Sequence, residues 1–296
     1  MSYYSGTAND MSALRQALID ACVLEGWSWN GTDEVLSKGA LFLRLQITSG
    51  YLTLLGRTSA TAGDAPSIVQ IGVPIKEASV SYPVSYELFV FSAEVYLVIN
   101  YSTDRYQWLC FGGSTVQSLA GSGMWFAASV GPTVPWYGVV MSPYDDISSN
   151  GSGGSVAACP GLFWRQVGVS GGANCWVHSD LDSQGWWLAQ TVGGNQIGIS
   201  ASTLVAVLPN SWNSEAVLLP IRAYKIRAAG KVSLIADLEH ARYTRVDNYT
   251  PGEIVIIGSE RWKIYPWYRK NTAQRNGGMS VDHSGTMGWA IRYEGL

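Results

Sequence analysis

The sequence predicts an α+β fold that is predominantly β, with an N-terminal helix packed on antiparallel strands, a Gly- and Trp-rich β insertion and a C-terminal β domain. Three observations lead there. Residues 11–25 carry apolar side chains at helical spacing, the clearest helical signal in the chain. Short apolar runs bounded by turn residues recur on both sides of the middle. Between about 112 and 212 the texture changes to Gly, Ser and Trp with little charge and no helical period. The expected organisation is an N-terminal α+β domain over 1–115, a Gly/Ser/Trp-rich β or loop-rich insertion over 116–212, and a C-terminal β domain over 213–296.

The helix rests on Leu14, Ala17, Leu18, Ala21 and Cys22, which share one face at period 3.6. Asn9 or Asp10 can cap its start and Gly26 can end it. Tyr3, Tyr4, Ser5 and Gly6 before it read as a short aromatic arm. Leu41, Leu43, Leu45 and Ile47 alternate with Phe42, Arg44, Gln46 and Thr48, the period of a half-buried strand. Val84–Phe91 and Val95–Tyr101 read as a hairpin, and Tyr106–Phe111 as a third strand after a turn at Ser102–Asp104. In the middle, 148–155 (SSNGSGGS) is a flexible-loop signal. Leu162–Trp164 and Trp186–Leu188 read as short strands. The C-terminal candidates are Leu218–Ile226, Val232–Ile235, Ile254–Ile257, Arg261–Tyr265 and Gly288–Tyr293, with one helical turn at Leu238–Tyr243. Turns at Pro251–Gly252 and Gly258–Ser259 punctuate them.

Composition bounds the function. The 296 residues are 47% hydrophobic and only 14% charged, where about 25% is usual. Such a chain can build a core, which excludes wholesale disorder. A net charge of −3 argues against a nucleic-acid partner, which selects for a basic face. Aromatics reach 12%, with 13 Trp. Few charges and many aromatics are the signature of surfaces covered by other protein. No apolar run is long enough to cross a bilayer, so no membrane partner is expected. The start lacks the basic and apolar regions of an export signal. Cys22, Cys110, Cys159 and Cys175, with no CxxC spacing, are therefore expected to be reduced, buried thiols.

No catalytic constellation emerges. Gly168-Val169-Ser170-Gly171-Gly172 has the form of a nucleophile elbow, but Ala173–His178 is a poor helix opening and the motif reads as a loop. His178, His240 and His283 form no zinc-protease pattern, and His178-Ser179-Asp180 and Asp282-His283-Ser284 read as polar turns. Asp145-Asp146 lacks the spaced carboxylates of a calcium loop. No phosphate-binding glycine motif appears. No catalytic residue, metal or cofactor is expected. Trp27, Trp29, Trp125, Trp136-Tyr137, Trp164, Trp176 and Trp186-Trp187 offer an alternative, a sugar-binding platform, against core filling or subunit contact.

Four stretches carry a resemblance: Tyr3–Trp27 (YYSGTANDMSALRQALIDACVLEGW), Tyr82–Gly112 (with YPVSYELFVF and YLVINYSTDRYQWLCFG), Val246–Asn271 (VDNYTPGEIVIIGSERWKIYPWYRKN) and Asp282–Gly295 (DHSGTMGWAIRYEG). They resemble a family of tailed-bacteriophage virion proteins. The resemblance implies a neck, tail or baseplate component, made and assembled in the host cytoplasm and located in the virion. It brings no residue roles. The partners it implies are other virion proteins and copies of the chain itself, in a ring-like homo-oligomer where each copy uses two different faces.

From the residues, the expected subunit contacts are Tyr3, Tyr4, Trp262, Trp267, Tyr268, Arg269, Lys270 and Trp289. Pro266 is expected to interrupt its strand, so that Trp267–Lys270 leave the sheet together as exposed anchors. The alternative for Trp262 and Trp267 is that they fill the local core.

Overall fold

The computed structural model describes residues 1–76, 78–116, 121–132, 138–142, 159–164, 175–188, 205, 207–208 and 216–295. The expected loop at 148–155, Asp145-Asp146, Trp136-Tyr137 and the Gly168–Gly172 motif lie outside them.

The chain opens with strand β1 (Ser2–Ala8) and helix α1 (Met11–Leu24). Asp10 caps the helix by accepting the Ala13 N–H at 2.7 Å, and Gly26, at φ +82°, turns the chain out of it. Five strands follow: β2 (Ser28–Asn30), β3 (Val35–Lys38), β4 (Leu41–Thr48), β5 (Tyr51–Arg57) and β6 (Val69–Ile71). Next come β7 (Val84–Val90), β8 (Glu94–Ser102), β9 (Arg105–Gly113), β10 (Met124–Ala128), β11 (Val139–Met141), β12 (Cys175–Ser179) and β13 (Gly185–Leu188). The C-terminal part supplies β14 (Leu219–Ile226), β15 (Val232–Arg245), β16 (Ile254–Ile257), β17 (Glu260–Pro266), β18 (Gly278–Val281) and β19 (Met287–Arg292).

All pairings among the described residues are antiparallel. An N-terminal sheet runs β2-β3-β4-β5-β6, a long sheet β1-β7-β8-β9-β10-β12-β13, and a C-terminal sheet β14-β15-β19-β17-β16; β11 pairs with β18. The expected boundary at 115/116 falls inside the long sheet, which joins residues 2–8 to residues 185–188.

The long sheet is the middle of three layers. Alternate residues of its strands feed two different cores. Val95, Leu97, Ile99, Leu109, Phe111 and Phe126 face α1 and the N-terminal sheet. Tyr96, Val98, Trp108, Cys110, Trp125 and Ala127 face the C-terminal sheet. Both faces are therefore apolar, which is why β8 reads as a continuous apolar run rather than an alternation.

Three local expectations change. The arm at Tyr3 and Tyr4 is β1, an edge strand in register with β7 from Ser2↔Val90 to Ala8↔Val84. Leu238–Tyr243 is not a helical turn but part of the 14-residue β15: Ala241–Tyr243 pair with β19, Arg242 and Tyr243 also pair with β14, and 238–240 bridge a register shift in the β14 ladder. Leu162–Trp164 forms a turn, with Trp164 N–H bonded to the Gly161 carbonyl. Cys22, Cys110 and Cys175 are buried free thiols and Cys159 is half-buried. Burial pushes their pKa values up, that of Cys159 to about 12, which keeps the nucleophilic thiolate scarce.

Candidate functional site

The residues expected at a subunit interface divide into an interior group and a surface group. Trp267, Tyr268 and Trp289 are fully buried, and Trp262 is 3% exposed. This overturns the exposed exit segment expected of Trp267 and Tyr268, and it buries Trp262 and Trp289, also expected at subunit contacts. The reason lies in the strand alternation around Pro266. Ile264 directs its N–H toward β16, to the Glu253 carbonyl at 2.9 Å. Position 266 points the same way, but β16 and its approach have ended there, so the missing proline donor costs no ladder bond. The strand continues, with Pro266 opposite Gly288. Lys263, Tyr265 and Trp267 then share one face, and Trp267 turns inward onto Trp289. Tyr268 spans the cores. Its hydroxyl lies 3.0 Å from the Tyr101 hydroxyl and donates to the Ile75 carbonyl at 3.1 Å. Trp262 lies on the outer face of the C-terminal sheet, covered by the Arg242 guanidinium at 5.2 Å.

Tyr3, Tyr4, Arg269 and Lys270 are half-buried and each has a partner within the chain. Tyr4 donates to Glu25 at 2.7 Å. Arg269 pairs with Asp282 at 2.6 Å, a carboxylate shared with Arg105 at 3.4 Å. Lys270 donates to the Tyr249 carbonyl at 2.8 Å and lines an open cleft of about 390 Å³ with Asp104, Pro251 and Thr272. Burial lowers the Lys270 ammonium pKa.

Tyr3 belongs to a polar and aromatic seam between β1, β7, β17 and the chain after β19. Its hydroxyl donates to Glu87 at 2.5 Å, and Lys263 bonds both Glu87 and Tyr3. The Tyr3 ring packs edge-on against Phe89 at 5.3 Å and Tyr293 at 5.0 Å. Burial alone lowers the Lys263 ammonium, but the hydrogen bonds to Glu87 and Tyr3 outweigh it and hold the pKa above its ordinary value.

A second polar feature, absent from the sequence reading, joins the middle and C-terminal layers. Glu94, 2% exposed at the start of β8, accepts the backbone N–H groups of Glu239 and His240 at 2.9 and 3.0 Å. It also accepts His240 Nδ1 at 2.7 Å and the Tyr96 hydroxyl at 2.9 Å. The imidazole stacks on Phe91 at 3.8 Å. One acidic residue at the head of an apolar run, in the hairpin Phe91–Glu94, is the only sequence trace of it.

The other two histidines are held neutral. His283 Nδ1 accepts the Gly285 N–H at 3.0 Å, while Nε2 bonds Gln274 Oε1. His178 Nδ1 accepts the Ser122 N–H at 3.1 Å and lies 2.8 Å from Ser122 Oγ. The Ser122–His178 pair ties the approach to β10 to β12, and the ring nitrogen facing the serine already accepts a backbone N–H. Burial lowers both pKa values below the ordinary 6.5. Protonation would place a second proton against an N–H donor. The unfolded chain thus binds protons at these sites before the folded chain does, so stability is full above about pH 6.5 and falls as pH drops below it. Melting temperatures between pH 8 and 5.5 should decline below pH 6.5, and His283→Gln should flatten the decline. A flat or rising profile in the parent protein would count against this account.

Among the described residues, no three His, Cys, Asp or Glu side chains gather as a metal site requires, and no helix is long and apolar enough to cross a membrane. The chain matches no protein-family model and no curated protein.

Proposed function

We propose that the chain is a structural subunit of a tailed-bacteriophage virion, held in the neck, tail or baseplate by protein–protein contacts, including contacts with copies of itself in a ring. What carries the reading is where the four resembling stretches lie in the fold. They are far apart in sequence, yet they pack on one another. Tyr3, Glu87, Lys263 and Tyr293 meet in the seam, one from each stretch. Trp267 stacks on Trp289 and Trp108 packs at a tilt against both between the two sheets, and Tyr101 bonds Tyr268. A resemblance confined to one packed unit is the pattern expected of a shared scaffold, whereas scattered chance matches have no reason to be neighbours.

On this reading the chain is not an enzyme, takes no cofactor or metal, and binds neither nucleic acid nor membrane. Its contribution is shape and contact surface in the assembled virion. A receptor- or glycan-binding role has less support. Of the tryptophans that would form a sugar platform, Trp27, Trp125, Trp164, Trp176 and Trp187 are buried, and Trp29 and Trp186 are half-buried. The test is location. Purified particles of the phage that encodes the chain should contain it by mass spectrometry, and a tagged copy should appear at the neck, tail or baseplate in electron micrographs. Its absence from particles in which the other structural proteins are detected overturns the proposal.

A further inference from the structure

The C-terminal sheet has two edges, and they are built differently. β14 carries Pro220, Arg222 and Lys225, residue types that blunt an edge against pairing. β16 at the other edge is Ile-Val-Ile-Ile, with no charge and no proline. Its exposure is unusual for such residues: Ile254 38%, Ile256 69% and Ile257 39%. Among the described residues no strand pairs with the outer side of β16, and an edge of β-branched apolar residues whose backbone groups lack a ladder partner is a template for another strand.

The backbone direction follows from the ladder. Glu253 C=O accepts from Ile264 on β17, and Ile257 faces Glu260 across the two-residue turn Gly258–Ser259. The Glu253 carbonyl and the N–H and C=O groups of residues 255 and 257 are therefore directed toward β17, while the Glu253 N–H turns back to the Thr250 carbonyl at 2.9 Å, and Ile254 and Ile256 direct their groups outward.

We propose that β16 is a self-association edge, at which a second copy of this chain pairs its own β16 antiparallel about a two-fold axis through Val255. This register is the one the strand's own pattern favours. It sets Ile254 of each copy opposite Ile256 of the other, so the outward groups of both residues are satisfied. Val255 meets Val255 of the second copy as a close pair without hydrogen bonds between them. Glu253 falls opposite Ile257 of the second copy rather than opposite another carboxylate, so no like charges face each other. The isoleucines at 254 and 256 of both copies then form one continuous apolar row on a sheet of doubled width. An isologous contact of this kind adds a two-fold to whatever ring the chain forms. It does not rest on the virion reading: a chain that pairs in solution but is missing from particles would sink that reading and leave this one standing.

The experiment is sedimentation of the full purified chain over a range of concentrations, for the parent and for Ile256→Lys and Ile256→Pro. Neither substitution removes a bond to β17, so both variants should match the parent melting temperature at dilutions where the parent is monomeric. The parent should self-associate reversibly, and each variant should weaken association by about tenfold or more. The register is read separately by mild oxidation of Val255→Cys and Ile257→Cys. Val255→Cys should cross-link into a covalent dimer, because close antiparallel pairs bring Cβ atoms within about 4.5–5.5 Å, and Ile257→Cys should not. A parent that stays monomeric at the highest concentrations, or one that associates as well with Lys or Pro at 256, overturns the proposal. Cross-linking at 257 but not 255 overturns the register.

Discussion

Trp267→Ala is expected to cost about 3–5 kcal/mol of folding stability, the range for truncating a buried tryptophan. The side chain is fully buried and stacks on Trp289 with ring centres 4.9 Å apart and planes 20° from parallel. Trp108 lies 5.6 Å from it on the middle sheet and Tyr243 6.2 Å away on β15. Truncation would leave a cavity between two sheets whose backbones are fixed by their own ladders, so the site has little freedom to collapse. Urea unfolding should show the midpoint fall with the slope nearly unchanged. Trp289→Ala should cost a similar amount. The double variant should cost less than the sum, because both changes remove the same stacked pair. An interface anchor would behave in the opposite way, leaving folding intact and weakening association alone. An unchanged unfolding midpoint for Trp267→Ala would restore the interface assignment.

The contrast shows which parts of this fold are legible in the sequence. The helix is, because its signals are local: one apolar face, an aspartate before it and a glycine after it. The hairpin of β7 and β8 and the alternation of β4 are legible for the same reason. Leu238–Tyr243 is not. Its residues suit a helical turn as well as a strand, and only the neighbours on both sides, distant in sequence, select the strand. The arm at Tyr3 and Tyr4 has no alternation to announce β1; its conformation comes from pairing with β7 some eighty residues away. Pro266 misleads in an instructive way. A proline disrupts a strand only where its N–H would have had a partner, and whether it has one depends on where the neighbouring strand stops. The apolar character of 254–257 is plain in the sequence, but that this run forms a free edge is a property of the sheet order alone.

Glu94→Ala should be the other severe substitution, at about 3–5 kcal/mol, as for a buried charged group that loses its partner. Here the loss runs the other way around, because the donors remain and their acceptor disappears. The N–H groups of Glu239 and His240, the His240 Nδ1 proton and the Tyr96 hydroxyl all point at the carboxylate from distances of 2.7–3.0 Å. Tyr96 cannot relieve the deficit by ionising, since burial, before the carboxylate itself, holds its pKa well above the ordinary value. Glu94→Gln should be milder, at about 1–3 kcal/mol. Oε2 takes three of the donors and Oε1 only the Glu239 N–H, so an amide oxygen placed at the Oε2 position keeps most of the network. The amide nitrogen then faces the Glu239 N–H, donor against donor. The order of stabilities should therefore be parent, then Gln, then Ala, by chemical denaturation. Because the carboxylate ties β8 of the middle sheet to β15 of the C-terminal sheet, hydrogen exchange in the Ala variant should rise first around 237–242. A Glu94→Ala protein as stable as the parent would mean that the aromatic layer holds the sheets together without this clasp.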